Sequence, residues 1–350
     1  MTTGPRALIH AMLLVALFML SPTTLAQGEV NVYTSRHYDT DQELHALFTQ
    51  KTGIKVNSIE GNADELLARL RSEGDLSPAD VFVAVDAGRL QKAVDQGVFA
   101  PFESDVVTHN IPDFMRHDQG LYVGLSKRVR VIYLSDRVAP DLATTYADLA
   151  DPKLRGKVLI RSSNNVYNQS MLAAFVAAYG PAETEAWAQG VVANMARTPQ
   201  GGDTSQIRAL AAGVGDVAVG NHYYFARMIE LGDESDRQAA KTVRLVFPDQ
   251  DGRGAHTNIS GVGLIKSAPN RENAIRYIEF LTTPEAQEIY ALKNFEYPAV
   301  SGLELPEVLG NLGARGPVKR ALRGIEAWLH DPGTRLHIVT LPGALPVQET

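Results

Sequence analysis

Tyr38, Tyr167 and the pair Tyr223-Tyr224 stand out as side chains that could share one task. Each follows a short β-rich run, and the chain carries 12 tyrosines in all. A single tyrosine is more often packing than ligand, because its ring fills cores well. Four at the mouths of strands are a different signal. A phenol is a poor donor for most ions: its pKa is about 10, and ionising it at neutral pH costs about 4 kcal/mol. A hard, highly charged cation repays that cost, and ferric iron, which strongly favours anionic oxygen, is the natural candidate. The chain has no cysteine and no His-x-x-x-His pair, which argues against a zinc site.

Three phenolates neutralise a trivalent ion, so a fourth leaves an excess negative charge that calls for a nearby cation. Arg227, three residues after Tyr224, and Arg128 are the candidates, either for the phenolates or for a small bound anion. Each could equally be a surface ion pair. His37 directly precedes Tyr38; on a loop both could reach one ion, whereas on a strand they would face apart. Imidazole is a softer donor than phenolate, which makes His37 the weaker ligand candidate. His222 reads as structural.

Competing motifs fail on spacing. Asp249-Gln250-Asp251-Gly252 begins like a calcium loop, but the closing carboxylate is replaced by Ser260-Gly261, which leaves a turn. Gly213-Val214-Gly215 lacks the third glycine of a dinucleotide fingerprint. Neither a Gly-x-Ser-x-Gly elbow nor a P-loop occurs. Asp64-Glu65 suits the start of a helix.

The elements that must position the tyrosines alternate. Glu29 to Ser35 reads as a strand, followed by a helix through Leu44, Leu47 and Phe48 that Gly53 stops. Ile54 to Ile59 is a second strand, Asp64 to Glu73 a helix, and Ala79 to Val85 a buried strand. A second set runs from Lys127–Leu134 through Val158–Ile160, helices at Gln169–Tyr179 and Thr204–Gly213, and strands at Asp216–Val219 and Val243–Phe247. Gly261–Ile265 reads as a return strand before a helix at Arg271–Leu281. The expected fold is α/β, in two lobes that each hold a mixed sheet flanked by helices, with a ligand cleft between them. Lobe 1 is expected to take residues 27–127 plus 255–310, and lobe 2 residues 128–254. Residues 311–350 form a tail with an amphipathic helix from Pro317 to Leu329, whose docking lobe is open.

Residues 1–26 read as a cleavable signal peptide: Arg6 gives a basic start, Ala7 to Leu20 is apolar, and Thr24 and Ala26 suit a peptidase. Export to the periplasm follows. Without cysteine there is neither a disulfide framework nor a lipidated residue at the cleavage site, so a freely soluble protein is expected. A formal net charge of -7 argues against nucleic acid as a partner.

Several stretches resemble the periplasmic ferric-ion-binding proteins of iron ABC importers, in particular their tyrosine-rich branch: VNVYTSRHYDTD, FTQKTGIKV, SPADVF, LSKRVRVIYLS, RSSNNVYNQS, GNHYYFARM and ISGVGLIKSAPN. They spread from residue 30 to about residue 300. The resemblance implies a type II periplasmic-binding-protein fold, with iron held by Tyr38, Tyr167, Tyr223 and Tyr224, sometimes with His37, and flanked by Arg128 and Arg227. In another branch a glutamate follows the strand that here ends at Val85. The apolar residue speaks against a carboxylate ligand from that loop, and Asp86 is what remains beside it. That branch also binds an anion near the loop that here spans Asn164 to Tyr167, and with Tyr167 present such an anion becomes dispensable. From about Gly310 the chain departs from the family's usual ending.

The expected protein is therefore no enzyme. It is a monomeric solute-binding protein that captures ferric iron, with carbonate or citrate as a possible accessory anion, and delivers it to the permease and ATPase of an ABC importer. Closure of the lobes would exclude water from the ion. One rival is the same fold taking an oxyanion such as phosphate or phosphonate, for which Ser162-Ser163 could serve; it leaves the tyrosines unexplained. The other, a secreted hydrolase, lacks a nucleophile with an oriented base.

Overall fold

The computed structural model describes residues 28–36 and 38–312. The signal peptide, His37 and the C-terminal helix and tail expected from the sequence lie outside the described residues.

β1 (Glu29–Thr34) pairs in parallel with β2 (Lys55–Glu60) on one side and β3 (Val81–Ala84) on the other. Between them run α1 (Asp39–Thr52) and α2 (Ala63–Glu73). Gly53 ends α1 in the left-handed region at φ 70°, where a side chain would be strained, and its N–H closes the helix on the Thr49 carbonyl at 2.8 Å. Asn62 caps α2 by accepting from the Asp64 N–H at 2.9 Å. Two further helices, α3 (Ala87–Asp95) and α4 (Asp105–Asn110), precede a long strand.

That strand, β4 (Val123–Ser135), is buried along its whole length of 13 residues. The sequence suggests a strand over residues 127–134 only; the structure extends it and gives it two roles. Its first half pairs antiparallel with β8 (Thr257–Leu264), which in turn pairs with β3. Its second half pairs antiparallel with β6 (Val217–Asn221) and β7 (Val243–Val246). The short β5 (Val158–Leu159) joins β6 in parallel, and β9 (Tyr297–Pro298) adds to β4. β4 and β8 thus link the two lobes.

The helices of the second lobe are α5 (Val166–Tyr179), α6 (Pro181–Asn194), α7 (Asp203–Ala211), α8 (His222–Glu230) and α9 (Glu234–Lys241). α10 (Arg271–Leu281) and α11 (Pro284–Ile289) return to the first lobe, and α12 (Glu307–Asn311) is the last described helix. None of the described helices is long and apolar enough to cross a membrane.

Burial follows the same division. One core joins side chains from Val30 to Leu125 with others from Ile259 to Ala299. A second joins Val129, Val131 and Tyr133 to Tyr223 and Phe225, and a third joins Ile132 and Leu134 to Met171 and Phe175 on the opposite face of β4. Ala291, Phe295, Tyr297, Leu309 and Leu312 pack on the second of these cores. Packing is close where β8 meets the first lobe: a Cβ on Gly263 would lie 2.4 Å from the Phe99 ring.

Candidate functional site

The sequence reading puts the four tyrosines on loops; the structure puts them at helix amino ends. Tyr38 is the N-cap residue of α1, Tyr167 the second residue of α5, and Tyr223 and Tyr224 the second and third of α8. Loop and helix start are hard to separate from sequence, because the strand-to-helix connections here are only a few residues long. The difference matters electrostatically. A helix amino end carries partial positive charge, which favours an anion such as a phenolate.

The three amino ends converge. The Tyr223 hydroxyl donates to the Tyr167 hydroxyl at 3.3 Å, and the rings of Tyr223 and Tyr224 lie 4.4 Å apart at 32°. Tyr38 completes the group from the other lobe, interacting electrostatically with both Tyr167 and Tyr223. Tyr223 is 1% exposed, while the other three are half-buried. Burial pushes the phenols of Tyr38, Tyr223 and Tyr224 well above the usual tyrosine value, and the mutual repulsion of the cluster pushes them further. Without a cation the phenols are therefore protonated at neutral pH.

Both arginines singled out in the sequence reach the cluster. The guanidinium of Arg128 lies 5.5 Å from the centre of the Tyr167 ring, and that of Arg227 lies 5.8 Å from the Tyr38 ring. They lie over ring faces as cation–π partners. Arg128 is buried; it donates to the Ile259 carbonyl at 2.9 Å, while its Nε and Nη1 have no hydrogen-bond partner among the described residues.

Further charges escape the sequence reading. Arg36 is buried under Tyr38, 5.2 Å from its ring, and is held by Asp41 at 2.9 Å, Ser260 at 2.9 Å and Glu296 at 3.3 Å. Burial alone would raise the Glu296 carboxyl, but Arg36 and Arg128 outweigh it and keep the group below the usual carboxylate range. Ser126 also donates to Glu296. Arg161 lies 5.3 Å from the centre of the Tyr167 ring and pairs with Asp203 at 3.2 Å. Asp203 binds the buried Arg130 at 2.8 Å. A sequence signal for part of this set exists: Ser126, Arg128 and Arg130 alternate along a strand, so they share one face, and that face looks into the site. No comparable pattern marks Arg36 or Glu296, which meet only through folding.

His222 serves the frame. Its Nδ1 accepts from the Val129 N–H at 3.1 Å, its ring stacks on Tyr297 at 4.5 Å, and burial lowers its pKa to about 4, so it is neutral. Asp86 is committed elsewhere: it caps α3 and accepts from Asn258 and Ser170. Asp249 lies in a tight turn, its carbonyl accepting from Gly252 and Gly254 at 2.9 Å each. Among the described residues, no group of three or more histidine, cysteine, aspartate or glutamate side chains is placed to hold a metal ion. Beside the tyrosines opens a cleft of ≈ 570 Å³ whose lining includes Arg36, Asn62, Arg89, Asn164 and Asn165, with residues from both lobes.

A family described as bacterial extracellular solute-binding protein matches residues 77–320. Iron uptake protein A1 of Synechocystis sp. is 48% identical over 295 residues, covering 84% of this chain and 82% of that protein. Among solved structures, a Trichodesmium protein in complex with iron and citrate superposes with a TM-score of 0.77 at 49% identity, over 82% of this chain and 91% of that one. The ferric binding protein of Campylobacter jejuni gives 0.77 at 36% identity, over 81% and 90%.

Proposed function

The chain belongs to the bacterial extracellular solute-binding proteins, and from that premise we propose that it captures ferric iron between its lobes through tyrosine phenolates and delivers it to an ABC importer. The observation that carries this reading is the meeting of Tyr38, Tyr167, Tyr223 and Tyr224 at three helix amino ends. Phenols held so close repel one another once ionised, so the arrangement makes sense around a cation that takes up their charge. Ferric iron is hard and trivalent, and three phenolates neutralise it. The fourth is offset by Arg128 and Arg227 over the rings, with Arg36 beneath. His37, next to Tyr38, is a candidate further donor. The names of the similar proteins, which speak of iron uptake and ferric binding, point the same way.

An accessory anion has a place in this reading. Arg36 and Arg128 keep buried N–H groups without partners among the described residues, and the ≈ 570 Å³ cleft is lined by Arg36 and Arg89. Citrate suits so roomy a cleft better than carbonate, and the Trichodesmium protein holds iron and citrate together. The signal-peptide pattern and the extracellular family support a periplasmic place of work. A lobe division at residues 127–128, inside β4, and at 254–255, just before β8, would place the hinge for closure at these two crossings. The importer's permease and ATPase are the partners that would reopen a monomer closed around its cargo.

Adding ferric citrate to the purified mature protein tests the reading. Tyrosinate-to-iron charge transfer colours it, and Tyr223→Phe or Tyr224→Phe weakens or shifts the visible band. A colourless protein with an unchanged melting temperature refutes iron capture.

A further inference from the structure

Three residues after Tyr167, on the same face of α5, stands Ser170. Its hydroxyl crosses from the second lobe to the first and donates to Asp86 Oδ2 at 2.7 Å. Asp86 follows β3, and its Oδ1 caps α3 by accepting from the Gly88 N–H at 2.8 Å. Oδ2 also accepts from Asn258 Nδ2 at 2.7 Å, and Asn258 lies on β8, one of the two strands that join the lobes. The Oδ1 of Asn258 in turn accepts from the Ala87 N–H at 2.9 Å and the Ile259 N–H at 2.8 Å. One carboxylate therefore ties the mouth of the first lobe, the linking strand and the tyrosine-bearing helix of the second lobe. It is 1% exposed, a degree of burial that a carboxylate tolerates when hydrogen-bonded donors replace water.

We infer that Asp86 and Ser170 form a latch across the cleft, which sets how long the lobes stay closed. The cap joins Asp86 to α3, and the Asn258 contact joins it to β8, which pairs with β3, so both lie on the first-lobe side of the cleft. The Ser170 bond is the one that parting the lobes breaks. Tyr167 and Ser170 ride on one helix, so withdrawing the phenol from the ion and opening the latch are a single movement. Ser170 is a positioning residue here, with no contact to the cargo. A hydrogen bond to a charged group shifts such a closed-to-open equilibrium roughly tenfold.

The release arm of the test rests on the iron reading; the distance arm does not. The chain has no cysteine, so spin labels go cleanly on Leu76→Cys in the first lobe and Val192→Cys in the second, at positions 91% and 62% exposed. In the mature protein, Ser170→Ala is expected to shift the inter-label distances toward longer values, with or without ferric citrate. It is also expected to speed iron loss to excess EDTA roughly tenfold, with the visible band at its parent position. Ser170→Thr, which keeps the hydroxyl, restores both readouts. Parental distances in Ser170→Ala overturn the latch, as does a Ser170→Thr protein that behaves like Ser170→Ala. If the parent protein stays colourless, the iron reading fails, and the distances still decide the latch.

Discussion

At the scale of single residues, the charges beneath the tyrosines decide how readily the phenols ionise. Glu296 raises the Tyr38 phenol while it balances Arg36 and Arg128. Glu296→Gln therefore acts in two directions. It leaves two buried arginines short of a partner, which is expected to cost about 3 kcal/mol of stability in urea unfolding. It also removes a negative charge near Tyr38, so ferric binding is expected to tighten. A variant that unfolds and binds like the parent contradicts this coupling. His222 supplies a pH dependence with a definite sign. Its folded pKa is lowered to about 4 against about 6.5 in an unfolded chain. Its contribution is present in full above about 6.5 and lost as pH falls toward 4, because protons bind the unfolded chain more readily. Going from pH 7.5 to 5 is expected to remove about 2 kcal/mol of apo-protein stability through His222 alone, and His222→Gln to reduce the total loss, to which the buried His256, lowered to about 3, also adds. The meeting of the four tyrosines with Arg128 and Arg227 was legible in the sequence because phenols recur at the mouths of strands. Arg36 and Glu296 were not, since 260 positions separate them in the chain.

At the scale of elements, helix amino ends do the positioning. Asn165 caps α5 by accepting from the Tyr167 N–H at 3.1 Å, so one side chain both starts the helix and fixes the backbone of a proposed ligand. Asn165→Ala is expected to cost about 1 kcal/mol of stability and to weaken the ferric band disproportionately, whereas Asn165→Asp, which keeps a cap, preserves it. Equal loss of stability and no change in the band would show that α5 holds Tyr167 without its cap. The helix at Arg271–Leu281 is legible to the residue from its apolar spacing and the breaker that follows. The length of β4 is not, because its polar and apolar residues alike are buried, so no change from a buried to an exposed face marks where one lobe ends and the next begins.

At the scale of the molecule, loading through phenolates, as proposed, would exchange protons for a cation. Burial and mutual repulsion keep Tyr38, Tyr223 and Tyr224 protonated at neutral pH in the apo protein. Binding through phenolates must therefore release protons, about three to four for each ferric ion. Rising pH favours loading and falling pH favours discharge. A pH-stat titration, corrected for the protons that the iron chelate itself exchanges, checks the number; release of one proton or none excludes a site dominated by phenolates. A ligand that binds only the folded chain stabilises it, so loading is also expected to raise the melting temperature with the logarithm of the ligand excess.

Taken alone, the sequence determined the class of fold and the chemistry on offer. Alternating β-rich and amphipathic stretches specify an α/β chain because side-chain periodicity is a local property. Recurring tyrosines offer hard, anionic oxygen donors because donor type is written in the residue. Only tertiary structure decided that the phenols stand at three helix amino ends, that Arg36 and Glu296 lie beneath them, and that Ser170 reaches Asp86. Those facts depend on how β4 and β8 set one lobe against the other. Contacts between residues far apart in the chain leave no mark in local pattern.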